Sequence, residues 1–121
     1  HISRVGIGLD SVDLLAAEKK GIKVSYTPDA PAPAVAELTI GMMFTLLRST
    51  HVSNSKMHNG EWYRFFGRRL SNVTIGIIGV GRIGVAIIKH LQGFSVPNIL
   101  ANDISDRPHE LNLPIQWLKP A

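Results

Sequence analysis

The sequence predicts an α/β chain built on parallel strands, and three observations predict it. Short apolar runs rich in β-branched residues alternate with amphipathic stretches of helical period. A nearly continuous apolar run, residues 73–78, leads straight into a glycine-rich turn, and a second strand follows the helix that the turn opens.

Composition bounds the rest. With 121 residues, 45% of them hydrophobic and 18% charged, the chain reads as globular and of ordinary domain length. It contains no cysteine, which rules out a disulfide framework and a thiolate metal site and fits a reducing, cytoplasmic setting. The formal charge is +4, but the basic residues are scattered except around Arg64, Arg68 and Arg69, so no nucleic-acid partner is expected. The longest uncharged apolar run, residues 38–47, is half the roughly 20 residues a membrane span requires, and no membrane partner is expected. The chain has no initial Met, opens inside a strand and stops after an apolar segment, and is expected to be an internal piece of a longer protein.

The elements follow in order. Residues 2–5 alternate as the end of a strand and run into the turn Gly6-Ile7-Gly8. Asp10 or Ser11 offers an N-cap to a helix of about three turns, with Lys19 and Lys20 at its negative end and Gly21 as its stop. Residues 22–26 alternate as a strand, and the proline-rich stretch 27–33 ends it as a stiff link. From Ala34 to about Asn59 the apolar residues Val35, Leu38, Met42, Leu46 and Leu47 recur near the helical period, which predicts one long helix, buried at its start and exposed at its end. Residues 60–69 read as a connection whose aromatic rings pack on neighbours. Residues 73–78 then read as a central strand covered on both faces, residues 82–92 as an amphipathic helix stopped by Gly93, and residues 99–102 as the next strand. Residues 105–108 read as a loop, and residues 115–118 as a short strand or a crossing segment.

The chemistry lies in Gly79-Val80-Gly81-Arg82-Ile83-Gly84, a G-x-G-x-x-G. Alone the pattern is weak, but here it follows a strand, opens a helix and precedes a second strand that ends in Asp103, as a dinucleotide fingerprint requires. Gly79 serves the sharp turn, Gly81 lets the backbone approach a pyrophosphate, and Gly84 allows close helix packing. The amides near Arg82 and Ile83 form the anion-binding helix N-terminus, with Arg82 as an added cation. Asp103 accepts from the adenosine ribose hydroxyls and repels a 2′-phosphate, which favours NAD over NADP. The fold class is thus part of a Rossmann-type doubly wound parallel sheet, its first βαβ unit.

Further motifs resemble one family. Arg4-Val5-Gly6-Ile7-Gly8-Leu9-Asp10-Ser11-Val12-Asp13, Gly21-Ile22-Lys23-Val24, Thr27-Pro28, Val35-Ala36-Glu37, Gly60-Glu61-Trp62, Leu70 and the stretch 76–84 resemble, in order, the motifs of the D-isomer-specific 2-hydroxyacid dehydrogenases, in their phosphoglycerate dehydrogenase-like and glyoxylate/hydroxypyruvate reductase-like branch. The resemblance implies that residues 1–32 end a flavodoxin-like substrate domain, residues 33–69 form an interdomain helix and connection, and residues 70–121 begin the NAD-binding domain. It implies that Val5, Gly6 and Ile7 line the cleft with amides facing the carboxylate of a small 2-keto or 2-hydroxy acid, which suits the anion affinity of glycine-rich turns. It also implies a homodimer formed through the helix beginning near Val35.

The sequence departs from the family pattern in three places, with Tyr26 where Asn is usual, Ala34 where Ser or Thr is frequent and Arg69 where an acid is frequent. The family's catalytic Arg, Glu and His find no match in these residues, so no catalytic residue is assigned and the segment alone is expected to be inactive. His51, His58 and His90 read as helix-surface residues, and neither they nor His109 match a motif; no metal-ligand spacing is present. Related readings are an NAD(H)-sensing corepressor-like protein and a formate or phosphite dehydrogenase. Half of a doubly wound sheet buries its open edge poorly, which predicts low solubility or stability for the isolated segment.

Overall fold

The computed structural model describes residues 1–104 and 114–118. Its elements are β1 (Ile2–Arg4), α1 (Leu14–Lys19), β2 (Val24–Tyr26), α2 (Ala32–Arg48), α3 (Thr50–His58), a 3-10 turn (Leu70–Asn72), β3 (Thr74–Ile78), α4 (Arg82–Gln92), β4 (Asn98–Asn102) and β5 (Gln116–Trp117). The strands form two parallel sheets, β1-β2 and β3-β4-β5, so β5 settles the open reading of residues 115–118 as a strand. The loop expected at residues 105–108 lies outside the described residues, as does His109.

The core sits under the second sheet. Ile75 and Ile77 of β3 and Ile99 and Ala101 of β4 point to one face, as period-two alternation requires, and meet Ile87, Ile88 and Leu91 of α4. Ala36 and Ile40 of α2 join the same cluster, and Phe44 meets Phe94 edge-on at 5.2 Å. Ile88 and Leu91 are fully buried, each contributing about 1.5–3 kcal/mol of hydrophobic stabilisation.

Four expectations are corrected. The helix expected from Ala34 to Asn59 begins at Ala32, with Pro31 as N-cap and Pro33 in its first turn, where a missing N–H costs nothing, so the proline link is shorter than it reads. That helix also breaks at Ser49, which adopts a left-handed conformation (φ 50°), and α3 starts afresh. The break has a partner distant in sequence: the Arg68 N–H donates to the Leu47 carbonyl (3.0 Å) and satisfies an acceptor that helix continuation would have used. α1 is shorter than three turns because its N-cap is Asp13, which accepts from the Ala16 N–H at 2.8 Å; the stretch 9–12 is already used in a turn closed by Val12 N–H to the Leu9 carbonyl (2.9 Å). Finally, among the described residues β3 is covered on one face only. Gly76 and Ile78 face outward and Ile78 is 91% exposed, because both helices packed on this sheet lie on the same side.

The connection 60–69 is irregular, as expected, but its rings touch one another more than a core. Tyr63 and Phe65 meet edge-on at 4.6 Å and Arg64 lies over Trp62, while Trp62, Tyr63 and Phe66 stay exposed. α3 buries no residue, in keeping with the expected exposure of that end.

Candidate cofactor-binding site

The site forms where β3 and β4 end on the same edge. The register pairs Ile78 with Asn102, so the glycine loop that follows β3 lies beside Asp103, which follows β4. The loop is stitched there by two hydrogen bonds. The Gly79 N–H donates to the Asn102 carbonyl (2.8 Å), and the Val80 N–H donates to Asp103 Oδ2 (2.5 Å).

Each glycine meets a different constraint. Gly79 has φ +90°, which L side chains rarely adopt, and makes the sharp turn out of β3. A Cβ at Gly84 would stand 2.3 Å from the Gly79 carbonyl oxygen, so a bare backbone here is what lets the first turn of α4 rest on the loop. Around Gly81 a Cβ would meet nothing within 4 Å; the space in front of it is open, as the approach of a pyrophosphate demands.

Gly81 is the N-cap of α4 and gives no side-chain cap, so the first-turn amides of Arg82, Ile83 and Gly84 are left without acceptors among the described residues. Three such amides at the positive end of an 11-residue helix make an anion receptor. Arg82 extends from the same point, partly exposed, and its Nε forms an ion pair with Asp29 Oδ1 from the link between β2 and α2.

The site residues expected from the sequence for the cofactor, Gly79, Gly81, Arg82, Ile83, Gly84 and Asp103, therefore come together at one sheet edge. Two features were not legible. The bond from Val80 to Asp103 makes the acid a structural anchor of the loop, and Asp29 joins the site with no motif to announce it.

The second expected site, Val5, Gly6 and Ile7, follows β1. Here Thr27 continues the β1-β2 ladder, its Oγ1 accepting from the Gly6 N–H (2.8 Å) while its own N–H donates to the Gly6 carbonyl (3.2 Å). The Gly6 amide is thus committed within the protein, whereas the amides of Ile7 and Gly8 have no acceptor among the described residues. Val5 is largely exposed, and Arg4 Nη1 donates to its carbonyl (2.5 Å). His51, His58 and His90 are exposed on α3 and α4; His58 Nδ1 lies 2.9 Å from the Asn54 carbonyl within its own helix.

Comparison with known proteins places this geometry. Residues 40–118 match the family described as "D-isomer specific 2-hydroxyacid dehydrogenase, NAD binding domain". The chain is 41% identical over 104 residues to the D-3-phosphoglycerate dehydrogenase of Methanocaldococcus jannaschii, covering 84% of this chain and 20% of that protein. It is 39% identical over 119 residues to the hydroxypyruvate reductase of Thermotoga maritima, covering 97% of this chain and 38% of the relative. Its structure resembles that of a glyoxylate reductase from Paecilomyes thermophila with a TM-score of 0.80 and 31% identity, over 94% of this chain and 35% of the other. The chain therefore spans between a fifth and two fifths of the length of these relatives. NAD is the cofactor of the matched domain, and the open approach at Gly81, the uncapped amides and Asp103 fit it.

Proposed function

The chain belongs to the D-isomer specific 2-hydroxyacid dehydrogenase family, and from that premise we propose that it forms the dinucleotide-binding part of an enzyme that reduces a small 2-keto acid to a D-2-hydroxy acid with NADH. The observation that carries this reading is the cradle itself: three uncapped helix amides facing open space at Gly81, with an acid at the end of the neighbouring strand. When bound, the dinucleotide supplies the hydride. The residues of this chain hold it. Amides of Arg82, Ile83 and Gly84 take the pyrophosphate oxygens, Arg82 adds charge, and Asp103 accepts from the ribose hydroxyls while its negative charge disfavours a 2′-phosphate.

We assign the turn Val5-Gly6-Ile7 to the substrate side. Since Thr27 holds the Gly6 amide, the carboxylate-facing donors at this turn are those of Ile7 and its neighbour Gly8, with Gly6 fixing their direction. The proposed division is a substrate-domain end at residues 1–32, an interdomain segment at 33–69 and a cofactor domain from 70 to 121; the separation of β1-β2 from β3-β4-β5 supports it. The exposed stripe Val35, Leu38, Met42 and Leu46 on α2 supports a homodimer, and the absence of cysteine supports a cytoplasmic setting.

The test is an assay of the full-length gene product with NADH against hydroxypyruvate, glyoxylate and 3-phosphohydroxypyruvate, alongside Asp103→Ala. Turnover of one keto acid, with NADH use weakened about tenfold or more by loss of a charged hydrogen-bond acceptor, is the expected result. NADH binding without turnover of any 2-keto acid would favour a sensor of the same family, and no NADH binding would overturn the reading.

A further inference from the structure

Arg82 stands where an arginine is electrostatically out of place. It is the first residue of α4, beside three uncapped amides at the positive end of the helix, and a guanidinium at that end is repelled by the same field that attracts phosphate. Without a counter-charge it extends into solvent and away from the cradle. The counter-charge comes from outside the cofactor motif: Asp29, in the link between β2 and α2, takes Arg82 by its Nε.

The link is well placed for this. The Asp29 carbonyl accepts from the Ala32 N–H (3.2 Å) at the start of α2, and α2 packs along α4, so the acid and the arginine ride on one helical pair. The contact uses only Nε, and among the described residues nothing accepts from the two terminal nitrogens of Arg82. A guanidinium held on one edge by a carboxylate keeps its other donors for a second anion. Both side chains are more than half exposed, so solvent screens the repulsion between Asp29 and a bound phosphate more than it weakens the direct contact to Arg82.

We propose that Asp29 is a positioning residue of the cofactor site, which aims the terminal nitrogens of Arg82 at the pyrophosphate of the dinucleotide. The proposal rests on the NAD reading above. It also ties the link that joins the two sheets to occupancy of the cofactor loop, since the ion pair spans from one to the other.

The test uses the full-length gene product and fluorescence or calorimetric titration with NADH, ADP-ribose and adenosine. Asp29→Ala is expected to weaken NADH and ADP-ribose about two- to fivefold, the range of an exposed ion pair, and to leave adenosine, which has no pyrophosphate, unchanged. Asp29→Asn keeps an oxygen for Nε and is expected to lose less. In an Arg82→Ala background Asp29→Ala should have no further effect. Equal or tighter NADH binding by Asp29→Ala overturns the proposal, as does a loss that persists without Arg82 or that extends to adenosine; a thermal melt of each variant identifies misfolding, and Asp29→Asn, which preserves the side-chain shape, then decides. Failure of the unaltered protein to bind NADH would instead sink the cofactor reading itself.

Discussion

Substituting alanine at Gly84 and at Gly81 separates what the glycine loop does for folding from what it does for binding. At Gly84 the added Cβ falls 2.3 Å from the Gly79 carbonyl oxygen and 3.2 Å from its carbon, whereas ordinary contact begins at 3.4 Å. Both obstructing atoms are backbone, so no side chain can swing aside; α4 or the loop must shift by about an ångström. Overpacking of this kind costs about 1–3 kcal/mol, and in a domain of roughly 150–250 residues each kcal/mol lowers Tm by about 2–4 °C. Gly81→Ala is the opposite case. Its φ of −78° suits alanine and its Cβ meets nothing within 4 Å, so Tm should hold, but the methyl group enters the space through which a pyrophosphate approaches, weakening NADH about tenfold or more. Circular dichroism melts and NADH titrations of the full-length protein read both effects. A Gly84→Ala protein that melts like the parent, or a Gly81→Ala protein that binds NADH unchanged, refutes the reasoning.

Two further outcomes are expected. Thr27→Val keeps the shape at the end of β2 but removes the oxygen that accepts from the Gly6 N–H, a loss of about 0.5–1.5 kcal/mol, and hydrogen exchange of the Gly6 amide should accelerate while amides of α4 stay protected. Asp103→Asn keeps an acceptor for the Val80 N–H and removes the charge, so the loop should hold while NADPH use rises relative to NADH about fivefold, the effect of ~1 kcal/mol between like charges about 4 Å apart in water; an unchanged cofactor ratio would show that this acid does not face the 2′ position.

What the sequence disclosed, and what it concealed, divides by range. β3, the glycine loop and α4 were legible because their signals are local: a nearly continuous apolar run at residues 73–78, then glycines, then Ile83, Ile87, Ile88 and Leu91 at helical spacing. The end of α2 was not, because nothing at Ser49 stops a helix strongly; the stop comes from Arg68, whose amide takes the Leu47 carbonyl across the connection. The cap of α1 was expected at Asp10 or Ser11 and stands at Asp13; all three are suitable residue types, and only the turn at Leu9–Val12 decides among them. In the site, the fingerprint announced Asp103 by its distance from the glycines, whereas Asp29 reaches Arg82 through the packing of α2 on α4, which no spacing encodes.

The same one-sided packing that hides Ile75 and Ile77 determines how the 121-residue chain should behave by itself. α2 and α4 share one face of the β3-β4-β5 sheet and leave Ile78 on the other, while Leu38, Met42 and Leu46 line the outer side of α2 and Trp62 and Phe66 stand in solvent. Among the described residues β3 also ends the sheet order, so one edge of a five-residue strand offers unpaired backbone groups for pairing with another chain. Fully burying an aliphatic side chain such as Ile78 or Leu46 is worth about 1.5–3 kcal/mol, so leaving several uncovered forgoes an amount comparable to the roughly 5–15 kcal/mol that separates folded from unfolded chains. The segment expressed alone should therefore aggregate or unfold without a sharp transition, and Ile78→Ser should improve its solubility because that side chain contributes little to the core formed here. A cooperative calorimetric transition of the unaltered, monomeric segment would show that the α4-side core suffices, and would make the open face a surface the chain can tolerate rather than one that must be covered.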